Sequence, residues 1–293
     1  MKILNFGSLN IDKVYQVKNF VRPGETISSE SMNFFCGGKG LNQTIAIARA
    51  GSDVYHAGCI GSDGEMLKEE LKRNNVNTDY VKTLDMPTGH AVIQVSESGQ
   101  NCIILFGGAN QAISPEQIDE TLSHFSKGDI ILLQNEISNL EYIIDEAYKK
   151  GMLIFLNPSP VTDKLRKLPL EKIHCLILNE IEASDICQTQ LETPADYAQL
   201  LHKKYPGSCI LLTMGTKGSI YVSDHEQHFQ DVYKVSAVDT TAAGDTFTGY
   251  FISAVSRGKD VKTAMNEASK ASSIAVTRAG ASSSIPLLAE LDL

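Results

Sequence analysis

The sequence has no excess of positive charge, and this absence limits its partners. Its 26 lysines and arginines are outnumbered by 35 aspartates and glutamates, which gives a net charge of −9. Binding to nucleic acid or to an anionic membrane needs a basic surface, so neither partner is expected. A small anionic ligand stays open, because local backbone amides can hold one whatever the total charge.

Paired cysteines and long apolar runs are also missing. The six cysteines form no C-x-x-C pair, and they are Cys36, Cys59, Cys102, Cys175, Cys187 and Cys209. Cysteines scattered through a chain of 293 residues are typical of buried fillers and free thiols. The longest apolar runs, residues 130–133 and 209–212, are strand-sized, and we expect no secretory leader. The composition therefore predicts a soluble, cytoplasmic, globular protein without a membrane span.

Short apolar segments alternate with helical patterns along most of the chain. Strands are predicted over residues 2–7, 54–60, 129–133, 152–156, 175–178 and 209–213, with helices between most of them. This alternation predicts a mostly parallel sheet covered by helices on both faces. Ligands of such sheets bind beyond the carboxyl ends of the strands, so polar residues that follow strands are the candidates for a site.

Two regions break this alternation. Residues 91–95 and 102–106 flank a polar turn and predict an antiparallel hairpin, and residues 14–35 are extended without a helical period. Together they predict a small separate sheet. This sheet is either a flap that covers a site or binds a partner subunit, or an ordinary β-insertion, and the pattern does not decide between them.

A glycine-rich loop at residues 36–43 is the first candidate for chemistry. Gly37, Gly38 and Gly40 let a ligand approach the backbone, while Lys39 and Asn42 supply hydrogen-bonding groups near a helix start. The loop is neither a Walker A motif nor a dinucleotide fingerprint, because the glycine spacing differs. Taken alone, the loop is explained as well by a flexible turn with a solvated lysine as by a ligand-binding loop.

The second candidate is the segment 239–247, where small residues lead into an apolar helix. Free amides near Ala242, Ala243 and Gly244 would attract an anion or stabilise charge on a transferring phosphoryl group. Asp245 lies in the first turn, where an ionised carboxylate can accept the proton of an attacking hydroxyl. A lone aspartate at this position is more commonly only a helix stabiliser.

Two further segments follow predicted strands. The turn at residues 213–218 suits a nucleotide site, although a simple hairpin turn is the better interpretation of it alone. Asn179 and Glu182 share one helical face and would hold phosphate and Mg²⁺ through water, or would simply cap a helix.

The order and combination of these segments resemble the phosphofructokinase-B type of sugar kinases, also called the ribokinase family. The first family signature matches Gly37, Gly38, Asn42, Gly51 and Gly61, and the second matches residues 239–245. The resemblance runs from residue 7 to residue 281, nearly the whole chain. Within the family, residues 23–26, the glycine loop, residues 157–158 and residues 275–278 are most similar to the kinases of D-ribose.

The resemblance implies an architecture. It is a single ribokinase-like domain over residues 1–293, a three-layer α/β/α fold with a mostly parallel sheet. A β-sheet lid would be formed by about residues 12–36 and 88–108. In this family the lid often also forms a dimer interface, so a homodimer through the lid is expected.

The resemblance also implies an activity, the ATP-dependent phosphorylation of a sugar's primary hydroxyl, with D-ribose as the first candidate. Asp245 would be the catalytic base, and Ala242, Ala243 and Gly244 would form the anion hole. The residues that would bind the sugar are Asn10, Asp12, Gly38, Lys39, Asn42, Glu136 and Asp245. The alternatives are a kinase of fructose, a keto-deoxy sugar acid or adenosine, and a non-catalytic sugar-binding protein.

Nucleotide and cation sites are implied in the same way. The expected ATP contacts are Asn179, Thr213, Gly215, Lys217, Gly218, Gly244 and Ser269, and Glu182 would organise Mg²⁺ through water. An activating K⁺ would be bound by oxygens, largely of the backbone, of Asp239, Thr241, Ala275, Arg278, Gly280 and Ser284. Two residues depart from the family pattern: Tyr250 replaces a small residue, and Ser269 replaces a larger polar one beside the adenine.

Overall fold

The helices and strands of the protein alternate as the hydrophobic pattern predicts, and a computed structural model describes them over residues 1–292. The strands are β1 (Ile3–Phe6), β2 (Asn10–Val17), β3 (Ser31–Gly37), β4 (Val54–Gly61), β5 (Asn77–Leu84), β6 (Gly89–Ser96), β7 (Asn101–Phe106), β8 (Ile130–Gln134), β9 (Leu153–Asn157), β10 (Cys175–Asn179), β11 (Cys209–Thr213), β12 (Ser219–Val222) and β13 (Gln227–Gln230). The α-helices are α1 (Lys39–Arg49), α2 (Glu65–Arg73), α3 (Pro115–Leu122), α4 (Leu140–Lys149), α5 (Glu180–Cys187), α6 (Pro194–Lys204), α7 (Ala243–Ser256) and α8 (Val261–Ala275).

A nine-stranded sheet forms the middle layer, in the order β13-β12-β11-β10-β9-β8-β1-β4-β5. All neighbours from β11 to β5 pair in parallel, and β12 and β13 extend one edge antiparallel. The strands are continuously apolar because both faces are covered, as the fully buried β8 shows. The carboxyl ends of the parallel strands therefore share one edge, where the polar residues that follow them meet.

Helices cover each face of this sheet. Helices α3, α4, α5 and α6 pack in one apolar cluster, and α1, α2, α7 and α8 pack in the other. The predicted α/β fold with three layers and a mostly parallel sheet is confirmed. No helix in residues 1–292 has the length and apolarity that a membrane crossing requires.

A second sheet of four strands, in the order β3-β2-β6-β7, stands apart from the first. The hairpin of β6 and β7 pairs antiparallel, as predicted, whereas β2 and β6 pair in parallel. The strand β3 leads directly into the glycine loop that starts α1, and the first residue of β2 pairs with Gly37 of that loop. The small sheet is thus tied to the carboxyl edge of the large one, and we refer to it as the lid sheet.

Candidate active site

Asp245 lies in the first turn of α7, at the carboxyl edge of the large sheet. Ala242 precedes the helix in a left-handed conformation, with φ of 58°, which turns the chain sharply into it. The amide of Ala243 donates to Thr240 O (3.3 Å), whereas the amides of Gly244 and Asp245 have no acceptor within the helix. The start of α7 therefore presents free N–H groups and its positive dipole end beside the Asp245 carboxylate.

Two amide side chains of α1 hold the Asp245 carboxylate. Asn42 Nδ2 donates to Asp245 Oδ2 (3.0 Å), and Gln43 Nε2 donates to Asp245 Oδ1 (2.9 Å). These bonds are possible because α1 and α7 pack very closely at Gly249, where a Cβ would collide with that of Ala46. Asp245 is only 8% exposed, so its orientation is fixed before any substrate binds.

The glycine loop needs its glycines for two separate reasons. Gly38 has φ of 95°, a conformation that L side chains rarely adopt. A Cβ on Gly37 would collide with the carboxylate of Asp12 on the neighbouring strand β2. The loop therefore brings Lys39 and the start of α1 directly against the first polar residues of the lid sheet.

Three charged side chains meet at this loop. The Glu136 carboxylate accepts from the Ser8 hydroxyl and from Lys39 N (3.3 Å). Burial raises the pKa of Glu136 above its ordinary value, although the Lys39 charge opposes the shift. Burial first, and the Glu136 charge second, raise the pKa of Asp12 to about 6. The carboxyl groups of Asp12 and Glu136 therefore lie beside the loop, where burial raises the pKa of each.

Lys39 lies among the carboxylates of this edge. Burial by itself lowers the pKa of its ammonium group, but Asp245, Glu136 and Glu182 outweigh this effect and raise the pKa. The lysine is therefore held in its charged form. It links the acidic residues on the lid side to those at the start of α7.

Two cavities open beside these charged residues: Lys39, Glu182 and Asp245 line one, and Glu136 lines the other. One, of about 240 Å³, is lined by Lys39, Asn157, Ile177, Leu178, Asn179, Glu182, Thr213, Thr240, Ala242, Ala243, Gly244, Asp245 and Thr248. The other, of about 230 Å³, is lined by Asn10, Leu105, Gly107, Asn110, Gln111, Asn135, Glu136 and Pro160. We call them the helix-start cavity and the lid cavity. Lys39 lines the first, and its backbone amide contacts Glu136 of the second.

The predicted nucleotide residues are divided between the helix-start cavity and the nearby surface. Asn179 and Glu182 line it and form a capping box, with Asn179 N to Glu182 Oε2 at 3.0 Å and Glu182 N to Asn179 Oδ1 at 2.9 Å. The carboxylate keeps further lone pairs, so it fits a cation bound through water. Both of the interpretations open for this pair, the helix cap and the ligand site, are compatible with this geometry.

Four of the expected ATP contacts line neither cavity. Gly215 and Lys217 lie on a short 3-10 helix that joins β11 to β12, and Gly218 follows it. Lys217 Nζ lies 3.6 Å from Glu180 Oε1 at the surface. The Ser269 hydroxyl on α8 donates to Asp231 O (3.2 Å), so its side chain is engaged in packing the loop after β13.

The residues expected to hold K⁺ lie on two loops that the structure ties together. The Asp239 carboxylate accepts from Thr241 N (2.9 Å) and from Gly280 N (2.9 Å). Arg278 directs its guanidinium to Glu290 (2.5 Å), so only its backbone can face a cation. Ala275 ends α8, and the Ser284 hydroxyl donates to Ala281 O (2.8 Å). The donors available here are oxygens, which suits a hard cation.

Tyr250 does not approach either cavity. It is fully buried on α7, and its hydroxyl donates to Pro286 O (2.7 Å). Tyr250, which departs from the family pattern, therefore joins α7 to the C-terminal segment and lines neither cavity.

Three residues of the site were given no chemical role from the sequence. Asn110 lines the lid cavity and donates to Asn10 Oδ1 (2.8 Å), Gln43 holds Asp245, and Gln134 contacts Gln43. Gln134 ends the buried strand β8, and a polar residue at that position was the available signal. Asn110 follows the lid hairpin and has no such signal.

A family model described as pfkB family carbohydrate kinase matches residues 1–288 of the chain. The ribokinase of Staphylococcus aureus (strain COL) is 35% identical over 301 aligned residues, which cover 99% of this chain and 98% of that protein.

Solved structures agree with this match. The ribokinase of Cryptococcus neoformans var. grubii, in complex with ADP, superposes with a TM-score of 0.89 at 33% identity, covering 99% of this chain and 98% of that one. The ribokinase of Arabidopsis thaliana, complexed with ribose and ATP, gives 0.88 at 30% identity, covering 99% and 97%.

Proposed function

The chain belongs to the pfkB family of carbohydrate kinases, and we propose that it transfers the γ-phosphoryl group of ATP to the primary 5-hydroxyl of D-ribose. The observation that carries this proposal is the position of Asp245, which is buried at the start of α7 and lines the helix-start cavity. The lid cavity would hold the sugar and the helix-start cavity the triphosphate. Related proteins named ribokinase, and a solved one holding ribose and ATP, support this choice.

A polyhydroxylated sugar needs acceptors and donors in fixed places, and the lid side supplies both. Asn10 is held by Asn110, and Glu136 is held by Ser8 and Lys39. Asn42 keeps a buried Oδ1 that has no partner in the described residues. Such an atom is costly to leave unpaired, and a sugar hydroxyl would satisfy it. Asp12 would accept a further hydroxyl in its ionised form.

The transfer itself needs one proton acceptor and one place for negative charge. The Asp245 carboxylate accepts the proton of the 5-hydroxyl while the oxygen of that hydroxyl forms a bond to the γ-phosphorus. The bond from that phosphorus to the β–γ bridging oxygen breaks, and ADP leaves. The charge on the transferring group is stabilised by the amides of Gly244 and Asp245 and by Lys39.

The donor sets described above fit two cations. Glu182 would hold Mg²⁺ through water beside the phosphates, and the ion would neutralise their charge. The oxygens of the two loops around Asp239 would hold K⁺, which would fix the loop leading into α7. Both roles follow from the family resemblance and from the chemistry of the donors.

A panel of acceptors tests the substrate. ADP release is measured with D-ribose, 2-deoxy-D-ribose, D-fructose, a keto-deoxy sugar acid and adenosine. We expect the highest kcat/KM for D-ribose, because charged groups line the sugar side and disfavour a nucleobase. Turnover of another acceptor without turnover of ribose would reject the assignment of the substrate while leaving the kinase intact.

The variant Asp245→Asn tests the base. We expect kcat to fall by about 10²- to 10⁴-fold, the usual contribution of a general base, while ribose still binds by calorimetry. Asp129→Asn is the matched control, because Asp129 is also 8% exposed and precedes β8, at the opposite end of that strand from the site. Unchanged turnover of Asp245→Asn would refute the assigned base.

We also propose that a second copy of the chain docks on the lid sheet. Phe34, Phe35, Ile103, Ile104 and Leu105 are each more than half exposed there. An apolar surface of this kind is unusual on a monomer and typical of an interface. All six cysteines are free, which agrees with a dimer that works in the cytoplasm.

The solution mass tests this interface. Light scattering should give twice the chain mass, and the double variant Phe34→Lys, Ile104→Glu should give a monomer. Tyr148→Ser is the control, since Tyr148 is 54% exposed on α4, far along the chain from the lid. A monomeric wild-type protein at micromolar concentration would contradict the proposed dimer.

A further inference from the structure

A line of buried carboxamides runs from the sheet to Asp245. Asn5 of β1, Gln134 of β8 and Gln43 of α1 are each fully buried. Gln134 Nε2 donates to Asn5 Oδ1 (3.0 Å) and to Gln43 Oε1 (2.7 Å). Gln43 Nε2 then donates to Asp245 Oδ1 (2.9 Å). None of these three residues belongs to the sugar, nucleotide or cation sites described above.

The direction of the line is set at Asn5. Its Nδ2 donates to the backbone carbonyl of Gly40 (2.9 Å) and to the Thr44 hydroxyl (2.7 Å). A carbonyl can only accept, so the Asn5 nitrogen must face it and the oxygen must face Gln134. The backbone of α1 thereby fixes which end of the first carboxamide points along the line.

Gln134 passes this orientation on. Both of its N–H groups face oxygens, those of Asn5 and Gln43. A flipped Gln134 would place its Oε1 against these two oxygens, which repel it. Its own Oε1 has no partner in residues 1–292. Gln134 thus leaves its own oxygen unpaired, while both of its N–H groups donate, one to Asn5 and one to Gln43.

Gln43 has therefore only one orientation available. Its Oε1 accepts from Gln134, so its two N–H groups must face Asp245 Oδ1 and Asn157 Oδ1 (3.3 Å). A donor, and never an acceptor, reaches the carboxylate. Such a bond limits the rotation of the Asp245 carboxylate.

We propose that Gln43 is a positioning residue, oriented through Gln134 and Asn5, that holds the Asp245 carboxylate in place for proton acceptance. The inference rests on the proposed role of Asp245 as base. Gln43 lines neither cavity, so it would act through Asp245. Lys39 on α1 and Glu136 after β8 are the charged groups that also face Asp245, and neither belongs to the line.

The one-atom change Gln134→Glu tests this line without touching Asp245. The carboxylate that it introduces only accepts when ionised, so Gln43 would turn its nitrogen toward that carboxylate and its oxygen toward Asp245. We expect kcat to fall about tenfold or more, the effect of one hydrogen bond to a charged group, with both KM values within about twofold.

Gln117→Glu is the matched control. Gln117 is 3% exposed on α3 and donates to Gly58 O (3.0 Å), so the same buried change is made away from Asp245. If Gln134→Glu does not fold, Gln134→Leu replaces it, because it also removes both donors. Thermal unfolding of every variant separates loss of fold from loss of positioning.

A double-mutant cycle with Gln43→Met completes the test. If Gln134 acts through Gln43, adding Gln134→Glu to Gln43→Met should not change kcat further. Fully additive effects on kcat, or a kcat for Gln134→Glu equal to that of Gln117→Glu, would overturn the proposal. Retained turnover in Asp245→Asn would instead reject the base itself, so the two failures are distinguishable.

Discussion

The lid cavity and the helix-start cavity are connected by Lys39, which lines the second and whose amide contacts Glu136 of the first, yet they are built in different ways. Asn10 and Asn42 on the lid side are 5% and 6% exposed, and Asn110, which bonds Asn10, comes from a segment distant in the sequence. On the other side, Asn179 is exposed and its partner, Glu182, lies three residues away. The sugar side is held by long-range contacts, whereas the Asn179–Glu182 part of the helix-start cavity is held by a local cap.

This difference predicts that the lid side discriminates between sugars, whereas the helix-start side holds the phosphates. Long-range contacts between buried groups fix the positions of acceptors and donors before a sugar binds, which discriminates between similar sugars. A helix start and a capping box hold phosphate oxygens with little dependence on the rest of the nucleotide. Mutations of the sugar-binding residues on the lid side should therefore change catalysis more strongly than mutations of the Asn179–Glu182 cap.

Within this comparison the largest effect is expected from Lys39→Met, which removes the charge that acts on both Asp245 of the helix-start cavity and Glu136 of the lid cavity. The carboxylates of Asp245 and Glu136 would lose their common counter-charge, and the pKa of Glu136 would rise further. We expect kcat/KM for ribose to fall about a hundredfold or more, as when one partner of a buried pair is removed. Steady-state kinetics measures it, with Lys172→Met, which breaks a surface pair with Asp145, as control.

A smaller effect is expected from Asp12→Asn on the lid side alone. The pKa of Asp12 is about 6, so wild-type KM for ribose should rise as the pH falls through that value. The variant should raise KM about tenfold at pH 8 and remove this pH dependence. Initial rates between pH 5 and 8 give both results, and a wild-type KM that stays flat would contradict the role of the carboxylate.

The same substitution should make the fold more stable. The pKa of Asp12 is raised in the fold, from 3.8 to about 6, so its charge opposes folding above pH 6. This cost is relieved as the pH falls toward 3.8. We expect Asp12→Asn to gain about 1–2 kcal/mol at pH 8 and almost nothing at pH 4, by urea unfolding. Asp79→Asn, at the exposed start of β5, is the control.

The smallest effect is expected from Glu182→Gln on the helix-start side. Glutamine also completes a capping box, so α5 keeps its stability while the site loses one charge. The KM for Mg·ATP should rise by about two- to fivefold, because a water-mediated contact is weakened and not lost. Asp196→Asn makes the same change in the capping box of α6 and should leave that KM unaltered. A larger loss than that of Asp12→Asn would break the comparison.

The pattern of strands and helices was enough to predict the layered parallel sheet, the glycine loop and the start of α7. Buried strands such as β8 are read directly from apolar runs, and the turn before α7 from its small residues. The edge strands β12 and β13 and the helix α8 were not predicted. The two strands have only four residues each, so packing against their neighbours decides them, whereas the apolar spacing of α8 was an available signal.

Within the site, Asp245 and Lys39 were singled out from their local segments, and Glu136 from the family resemblance. Only the tertiary structure decided that Gln43 reaches Asp245, that Gln134 reaches Gln43, and which way each carboxamide faces. Gln134 is 91 residues from Gln43 in the sequence, and their contact exists because β8 lies beside β1 and α1 covers both. Local sequence fixes which groups are present, whereas hydrogen-bond direction depends on partners that folding alone brings together.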